Sequence, residues 1–396
     1  MTRSKASALS NLRILDLTRV RAGPTCCRIF ADFGADVIKI EAPPGVDPNE
    51  GMSGARNGSD MLNLHRNKRS LTLNLKTPEG LAIFKQLVAT ADVVVENYRP
   101  DVKHRLGIAY DDLKAINPRI ILASISGFGE TGPYRTRAGF DQIAQGMGGL
   151  MWVTGLPGQG PVRAGIAVAD SSAGLFAAIG ILVALQERAR SGEGQWVRSS
   201  LLQAQIAMMD FQAARYLVDG IVPQQAGNDH PYSTPMGVVR TADGFINIAV
   251  GGQGQWKAFC IAIGHAEMQD NPDYATQELR LKNRPALNAR LADIFATRSS
   301  AEWLDVLEKA GVPAGPIYKM DEVFADPQVE HLGMAVPVSD EEGGRVRLVG
   351  QPVELSRTPA AIDHLLPEPG ADNEDILREI GLDDAKIAML RRERVI

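Results

Sequence analysis

Asp170 is the residue of this sequence best placed to do chemistry. It stands in AGIAVADSSAGLFAAIG, where an extended apolar stretch gives way to a long apolar helix. Two readings stand side by side. An aspartate at such a junction can be a helix N-cap, its carboxylate accepting from amides two or three residues on. It can also be a nucleophile. A helix N-terminus favours an ionised carboxylate, and the small neighbours Ala167, Ala169, Ser171, Ser172, Ala173 and Gly174 leave room for a ligand. An ionised, approachable carboxylate attacks activated acyl groups. Arg163, just upstream, could hold the distal carboxylate of a dicarboxylic substrate as a bidentate partner, or serve the structure alone.

Basic residues lie near several expected strand ends: Arg21, Lys39, Lys76, Arg99, Arg105, Arg135 and Arg137. Each is either a phosphate contact or a solvated surface charge. Gly251-Gly252-Gln253-Gly254 follows the apolar run FINIAV. It is either a turn into the next helix or a loop that closes over a reactive intermediate and keeps water away.

These residues need a frame, and the apolar patterning supplies one. Leu12–Leu17, Asp36–Ile40, Leu71–Leu75, Asp92–Glu96, Arg119–Ile125 and Gln195–Ser199 read as strands. Helices are expected between them at Thr25–Phe33 (after a turn at Arg21–Pro24), Pro78–Thr90, Tyr110–Ile116, Asp141–Met147 and Ser171–Arg190, with Leu201–Val218 after the last strand. Strands alternating with helices give an α/β fold, with a Rossmann-like parallel sheet. A polar, turn-rich stretch from Pro223 to Pro235 reads as a linker. It divides a large domain over 1–225 from a smaller α+β domain over 226–325, and 326–396 returns to the large domain. In the smaller domain, strands at Gly237–Arg240 and Phe245–Val250 are followed by helices near 254–263, 286–297 and 301–310. Short strands near Met334–Val338 and Arg345–Val349 flank Glu341-Glu342-Gly343-Gly344, and Asn373–Arg391 is helical.

Composition narrows the function. The 396 residues are 44% hydrophobic and 22% charged, ordinary for a soluble protein. A formal charge of -5 argues against a nucleic-acid binder. Cys26, Cys27 and Cys260 make no disulfide framework, which points to a reducing cytoplasm. The histidines show no HxxxH spacing and no CxxC occurs, so no metal site is expected. The N-terminus does not read as a signal peptide. The longest apolar tract, Ala173 to Leu185, looks too short and glycine-rich to span a bilayer. The first βαβ unit lacks GxGxxG, and Pro24 removes an amide that would face a pyrophosphate. Dinucleotide binding is therefore disfavoured, although Glu41 stands where a ribose-binding acid would.

The segments LRILDLTRVRAGP, FGADVIKIEAP, HRNKRSLTLNLKT, DVVVENYRP, INPRIILASISGFGETGP, RAGFDQIAQ, VADSSAGLFAAIGILVAL, RSGEGQWV and VPAGPIYKMDEVFADPQV, in this order, resemble the class III CoA-transferases, also called the CaiB/BaiF or formyl-CoA transferase family. The resemblance covers essentially the whole chain. It implies Asp170 as the nucleophile and CoA contacts at Val20, Arg21, Ala22, Leu73, Asn74, Lys76, Asn97, Tyr98, Arg99, Arg105 and the Arg137–Asp141 stretch, with Arg137 and Asp141 at its ends. It places the mobile glycine loop at Gly251, Gly252 and Gln253. Ala42 stands where some members carry an arginine. Coenzyme A and acyl-CoA enter as substrates, with no permanently bound cofactor. The resemblance further implies an interlocked homodimer, each chain an open ring threaded through its partner.

The resulting expectation is transfer of CoA from an acyl-CoA, with succinyl-CoA a plausible donor, to a small carboxylic or dicarboxylic acid. It runs through an aspartyl anhydride and an aspartyl-CoA thioester. A racemase or isomerase of the same family is the alternative enzyme. Its proton-transfer histidine falls on Phe140, whose ring is neither acid nor base. A non-catalytic CoA-binding protein is the remaining reading.

Overall fold

Near-continuous apolar runs mark strands that are buried on both faces of a parallel sheet. Here β1 (Arg13–Asp16), β2 (Asp36–Glu41), β3 (Arg69–Thr72), β4 (Val93–Glu96), β5 (Ile121–Ser126) and β6 (Trp196–Ser200) make such a sheet in a computed structural model. The described residues are 7–48, 51–339 and 344–396. All neighbours pair in parallel, in the order β3-β2-β1-β4-β5-β6. The chain begins mid-sheet, winds outward to β3, then reverses to β4. In such sheets, ligands bind beyond the carboxyl ends of the strands at the point of reversal.

Helices cover both faces: α1 (Ala22–Asp32), α2 (Ser59–His65), α3 (Pro78–Val88), α4 (Pro100–Leu106), α5 (Tyr110–Lys114), α6 (Asp141–Met147), α8 (Val168–Ser191) and α9 (Leu201–Ala207), which α10 (Asp210–Asp219) follows; α7 (Leu150–Val153) falls almost wholly in the smaller unit. Strand side chains alternate between faces, so Ile14, Val37, Val93 and Val95 pack against Cys26 and Phe30 of α1 and Ala173, Ala177 and Ile181 of α8. Leu15, Ile38 and Val94 point the other way, onto Phe84 and Leu87 of α3.

Several boundaries differ from expectation. The stretch Ala22–Pro24 is the first turn of α1 rather than a turn before it, because proline is tolerated there. Helix α8 starts at Val168, so Asp170 lies inside the helix and not ahead of it. The expected helix over 201–218 is two, α9 and α10, and Asp210 at φ 42 marks the break. The apolar tract 173–185 belongs to the 24-residue α8, which is long and apolar enough to cross a membrane by length and composition. That corrects the length argument. Its Ala173, Ala177, Ala178 and Ile181 nevertheless lie in the core beneath the sheet.

The smaller unit comprises Met151–Val162 and Val222–Asp326, so it takes in a stretch expected with the large domain. Within it, Gln225 donates to the carbonyls of Thr154 and Gly160. The strands β7 (Met236–Arg240), β8 (Phe245–Ala249) and β9 (Ala314–Pro316) form an antiparallel sheet. It shares a core with α11 (Gln253–Ala262), α13 (Arg284–Phe295) and α14 (Ser300–Lys309); α12 (Gln277–Lys282) and α15 (Met320–Ala325) complete the unit.

The chain then returns to the first unit with α16 (Pro327–His331), the antiparallel pair β10 (Ala335–Ser339) and β11 (Arg345–Val349), α17 (Asn373–Glu379) and α18 (Asp384–Arg392). The turn expected at 341–344 lies, except for Gly344, outside the described residues. Residues 370–373 lie along β3. Asp372 and Asn373 accept from the amides of Ser70 and Thr72, at 2.8 and 2.9 Å.

Candidate active site

The turn after β1 is built by Asp16. Its carboxylate, paired with Lys68 at 2.8 Å in the buried interior, accepts from the amide of Thr18 at 2.9 Å. Val20 follows at φ 62, a left-handed conformation that a β-branched residue adopts only where its surroundings impose it. Its amide donates to Ser53 Oγ. Asn97, just beyond β4, bonds Arg19 at both its amide (3.0 Å) and its carbonyl (2.7 Å), tying the β1 turn to the β4 turn.

These turns, the end of β5, the 135–140 loop and Asp170 enclose a cavity of about 440 Å³ at the point of reversal. Of the expected contacts, Val20, Arg21, Ala22, Asn97, Tyr98, Arg99 and Arg137 line it together with Asp170. Leu73, Asn74, Lys76, Arg105 and Asp141 do not. Leu73 is buried beyond β3, and the Asn74 amide donates to the Val395 carbonyl. Lys76 is exposed, and Arg105 pairs with Asp101 on its own helix at 3.6 Å. Gly251, Gly252 and Gln253 belong to the other unit, where Gln253 accepts from Arg280 at 3.1 Å and donates to the Ala275 carbonyl.

Two cavity residues were singled out only partly or not at all from sequence alone. Arg19 carries no signal in the sequence and pairs with Asp47, and Arg135 is there only one of several basic residues near strand ends. With Arg21, Arg99 and Arg137 they make the wall strongly cationic. Among the described residues, the guanidinium groups of Arg99 and Arg135 form no ion pair, while Arg21 holds Asp60 at 2.5 Å. Arginine clusters of this kind suit carboxylate and phosphate ligands. Burial pushes the Tyr98 phenol up to about 12, so the cavity meets it as a neutral hydroxyl. Glu41 is engaged elsewhere, bridged by Arg56 through two bonds of 2.9 Å and by Ser70, which leaves no ribose-binding role for it.

Asp170 is in the first turn of α8, yet it caps nothing. The N-cap residue is Ala167, with no side-chain cap, and the Asp170 carboxylate forms no hydrogen bond or ion pair among the described residues. Burial, reinforced by the Asp141 carboxylate and opposed by Arg21, pushes it up to about 6 from the ordinary 3.8. The capping is done by Asp141, the first residue of α6, whose Oδ1 accepts from the amides of Ala169 and Asp170 at 2.9 and 3.4 Å. Arg163 is turned to Asp141 at 3.5 Å and to the Ala164 carbonyl, and does not reach the cavity wall. The small residues around Asp170 do not make room for a ligand. Ala169, Ser172, Ala173 and Gly174 are buried, and a Cβ on Gly174 would stand 2.4 Å from the Ala22 carbonyl oxygen. They let α8 press against α1.

A doubly wound sheet with an arginine-lined cavity and an unpaired carboxylate at its reversal point defines an α/β protein whose cavity suits an anionic ligand. The model of CoA-transferase family III matches residues 9–373, and the chain belongs to that family and is a CoA-transferase. It is 39% identical over 381 residues to succinate–glutarate CoA-transferase of Agrobacterium fabrum, covering 94% of this chain and 95% of that one. It is 36% identical to human succinyl-CoA:glutarate CoA-transferase, over 98% of this chain and 90% of that one. The solved structure of a CaiB/BaiF family protein from Brucella suis superposes with a TM-score of 0.82 at 37% identity, over 95% of this chain and all of that one.

Proposed function

We propose that this enzyme moves CoA from succinyl-CoA to a small dicarboxylic acid of the glutarate class, with Asp170 as the covalent carrier. The single observation that carries the reading is the unpaired Asp170 carboxylate facing a cavity walled by arginines. Relatives named for succinate–glutarate, succinyl-CoA:glutarate and succinyl-CoA–D-citramalate transfer support the substrate class.

Asp170 attacks the thioester carbonyl. A C–O bond forms, the C–S bond breaks, and CoA thiolate leaves a mixed anhydride behind. The thiolate attacks the Asp170 carbonyl, releasing succinate and forming an aspartyl-CoA thioester. The acceptor carboxylate attacks that thioester, giving a second anhydride and thiolate. The thiolate then attacks the acceptor's own carbonyl, and Asp170 is restored as carboxylate. Each step trades one acyl bond for another of similar reactivity, the logic of covalent catalysis. Cationic groups such as Arg99 and Arg135 offset the charge that develops on the oxygens.

Homodimer formation belongs to the same proposal. Leu175, Phe176, Ile179, Leu182 and Val183 form an exposed apolar face on α8, which suits a second copy of the chain. Phe140 in the cavity wall argues against a racemase. The test is a panel of carboxylic acids with succinyl-CoA as donor, read by mass spectrometry of the CoA esters. Asp170→Asn and Asp170→Ala are expected to transfer nothing, and borohydride or hydroxylamine quenching is expected to label Asp170 in the wild type alone. Transfer surviving in either variant rejects the assignment.

A further inference from the structure

We propose that Asp141 is a positioning residue for Asp170: it caps α8 from another element and thereby keeps the Asp170 carboxylate free to react. The inference rests on the reading of Asp170 as nucleophile.

The first amides of a helix have no partner within it. The usual partner is the N-cap side chain, but that residue is Ala167, which has no acceptor to offer. Asp170 would then be the nearest side-chain acceptor and could fold onto its own amide. Asp141 pre-empts that arrangement by accepting from both Ala169 and Asp170.

Asp141 is itself held. Its Oδ2 accepts from Gln145 Nε2 at 2.7 Å. Gln145, fully buried, also donates to the Ile166 carbonyl and accepts from the Ala164 amide, both at 3.0 Å. The start of α6 thus fixes the backbone from 164 to 170. The resemblance places Asp141 among the CoA contacts, but it lies off the cavity wall, with Oδ1 turned to α8 and Oδ2 to Gln145. Its negative charge also opposes ionisation of Asp170, and a more basic carboxylate is the stronger nucleophile. The other charged groups facing Asp170 are Arg21 at the head of α1 and the cavity arginines at 19, 99, 135 and 137; the linings given by β5 and α9 are uncharged.

The experiment compares wild type, Asp141→Ala and Asp141→Asn, with succinyl-CoA as probe. Turnover, free CoA affinity and the rate of labelling at Asp170 by rapid quench are read together. Asp141→Ala is expected to lower kcat and the labelling rate by about 100-fold. Its dissociation constant for CoA should change by less than about threefold, since uniform binding is untouched. Asp141→Asn keeps an acceptor for the amides and loses the charge. It should retain more of kcat than Asp141→Ala and move the acid limb of the kcat/KM profile down by about one pH unit. Labelling at the wild-type rate in Asp141→Ala overturns the proposal, as does loss of CoA affinity with kcat unchanged. Should Asp141→Ala not fold, an acid limb unmoved in Asp141→Asn overturns it. A wild type that never labels at Asp170 sinks the parent reading and this one together, whereas a labelled wild type with unaffected variants sinks this one alone.

Discussion

A carboxylate that makes no bond in a folded protein is held against its own preference, and Asp170 shows this in its titration. With its value near 6, the ionised form outweighs the protonated form by about tenfold at pH 7. The expectation that the helix end would hold it ionised is thus only partly met, because burial, and after it the Asp141 charge, outweigh the pull of Arg21. Transfer should fall away as pH drops through about 6, measured as kcat/KM against pH. The same shift predicts a gain in stability on substitution. The folded chain resists ionising Asp170, so Asp170→Asn should stabilise it at pH 7 by about 2 kcal/mol, a figure reduced for partial solvent exposure. The sign follows from the raised value: the cost is present above about 6, fades as pH falls through it, and is gone below about 4, where folded and unfolded chains are both protonated. Urea unfolding at pH 7.5 and pH 4 checks this, and an Asn variant no more stable than wild type at the higher pH rejects it.

At the scale of elements, the cavity depends on a buried charge cluster behind it. Lys103 of α4, fully buried, stands 3.1 Å from Glu96 at the end of β4 and 2.7 Å from Glu130 in the loop after β5. Burial, only partly countered by Lys103, leaves Glu96 above the usual carboxylate range. Glu96 also accepts from the Tyr98 amide at 2.9 Å, so the cluster fixes two stretches that lead into the cavity wall. Lys103→Met removes the one cation between two buried carboxylates and should cost about 3–5 kcal/mol. Adding Glu130→Gln should return part of that, because one uncompensated charge is gone. A double-mutant cycle on urea midpoints reads it, and additive losses would reject the coupling. The central strands β1, β2, β4 and β5 were legible in the sequence because burial on both faces leaves them largely apolar, whereas the edge strands β3 (RSLT) and β6 (WVRSS) are more polar and their bounds shifted by one to three residues. Helices α2 and α4 were missed: both are only seven residues long, too short for a periodic pattern to stand out, and α4 is mostly polar. The start of α8 was misplaced because its cap comes from Asp141, 28 positions away in sequence, and no local signal announces a cap of that kind. The clustering of Val20, Arg21, Asn97, Tyr98 and Arg99 could be anticipated from the family resemblance, whereas the absence of Asn74 and Lys76 from the cavity wall is a tertiary fact.

At the scale of the whole molecule, the exposed face of α8 is the feature most in need of a partner. Ile179 and Val183 are 55% and 63% exposed on a helix whose opposite face is buried in the core. Sedimentation should find a dimer, and the pair Ile179→Glu with Val183→Glu should shift it toward monomer by placing charge in an apolar contact. A wild type that sediments as a monomer at micromolar concentration rejects the dimer. The sheet carries a second dependence, set by the order in which the chain is made. The outer amides of β3 are met by residues 370–373, which leave the ribosome long after β3 itself. A nascent chain short of that point bears a bare strand edge, an open template for joining a stranger's backbone. The late docking of residues 370–373 is thus what closes that template.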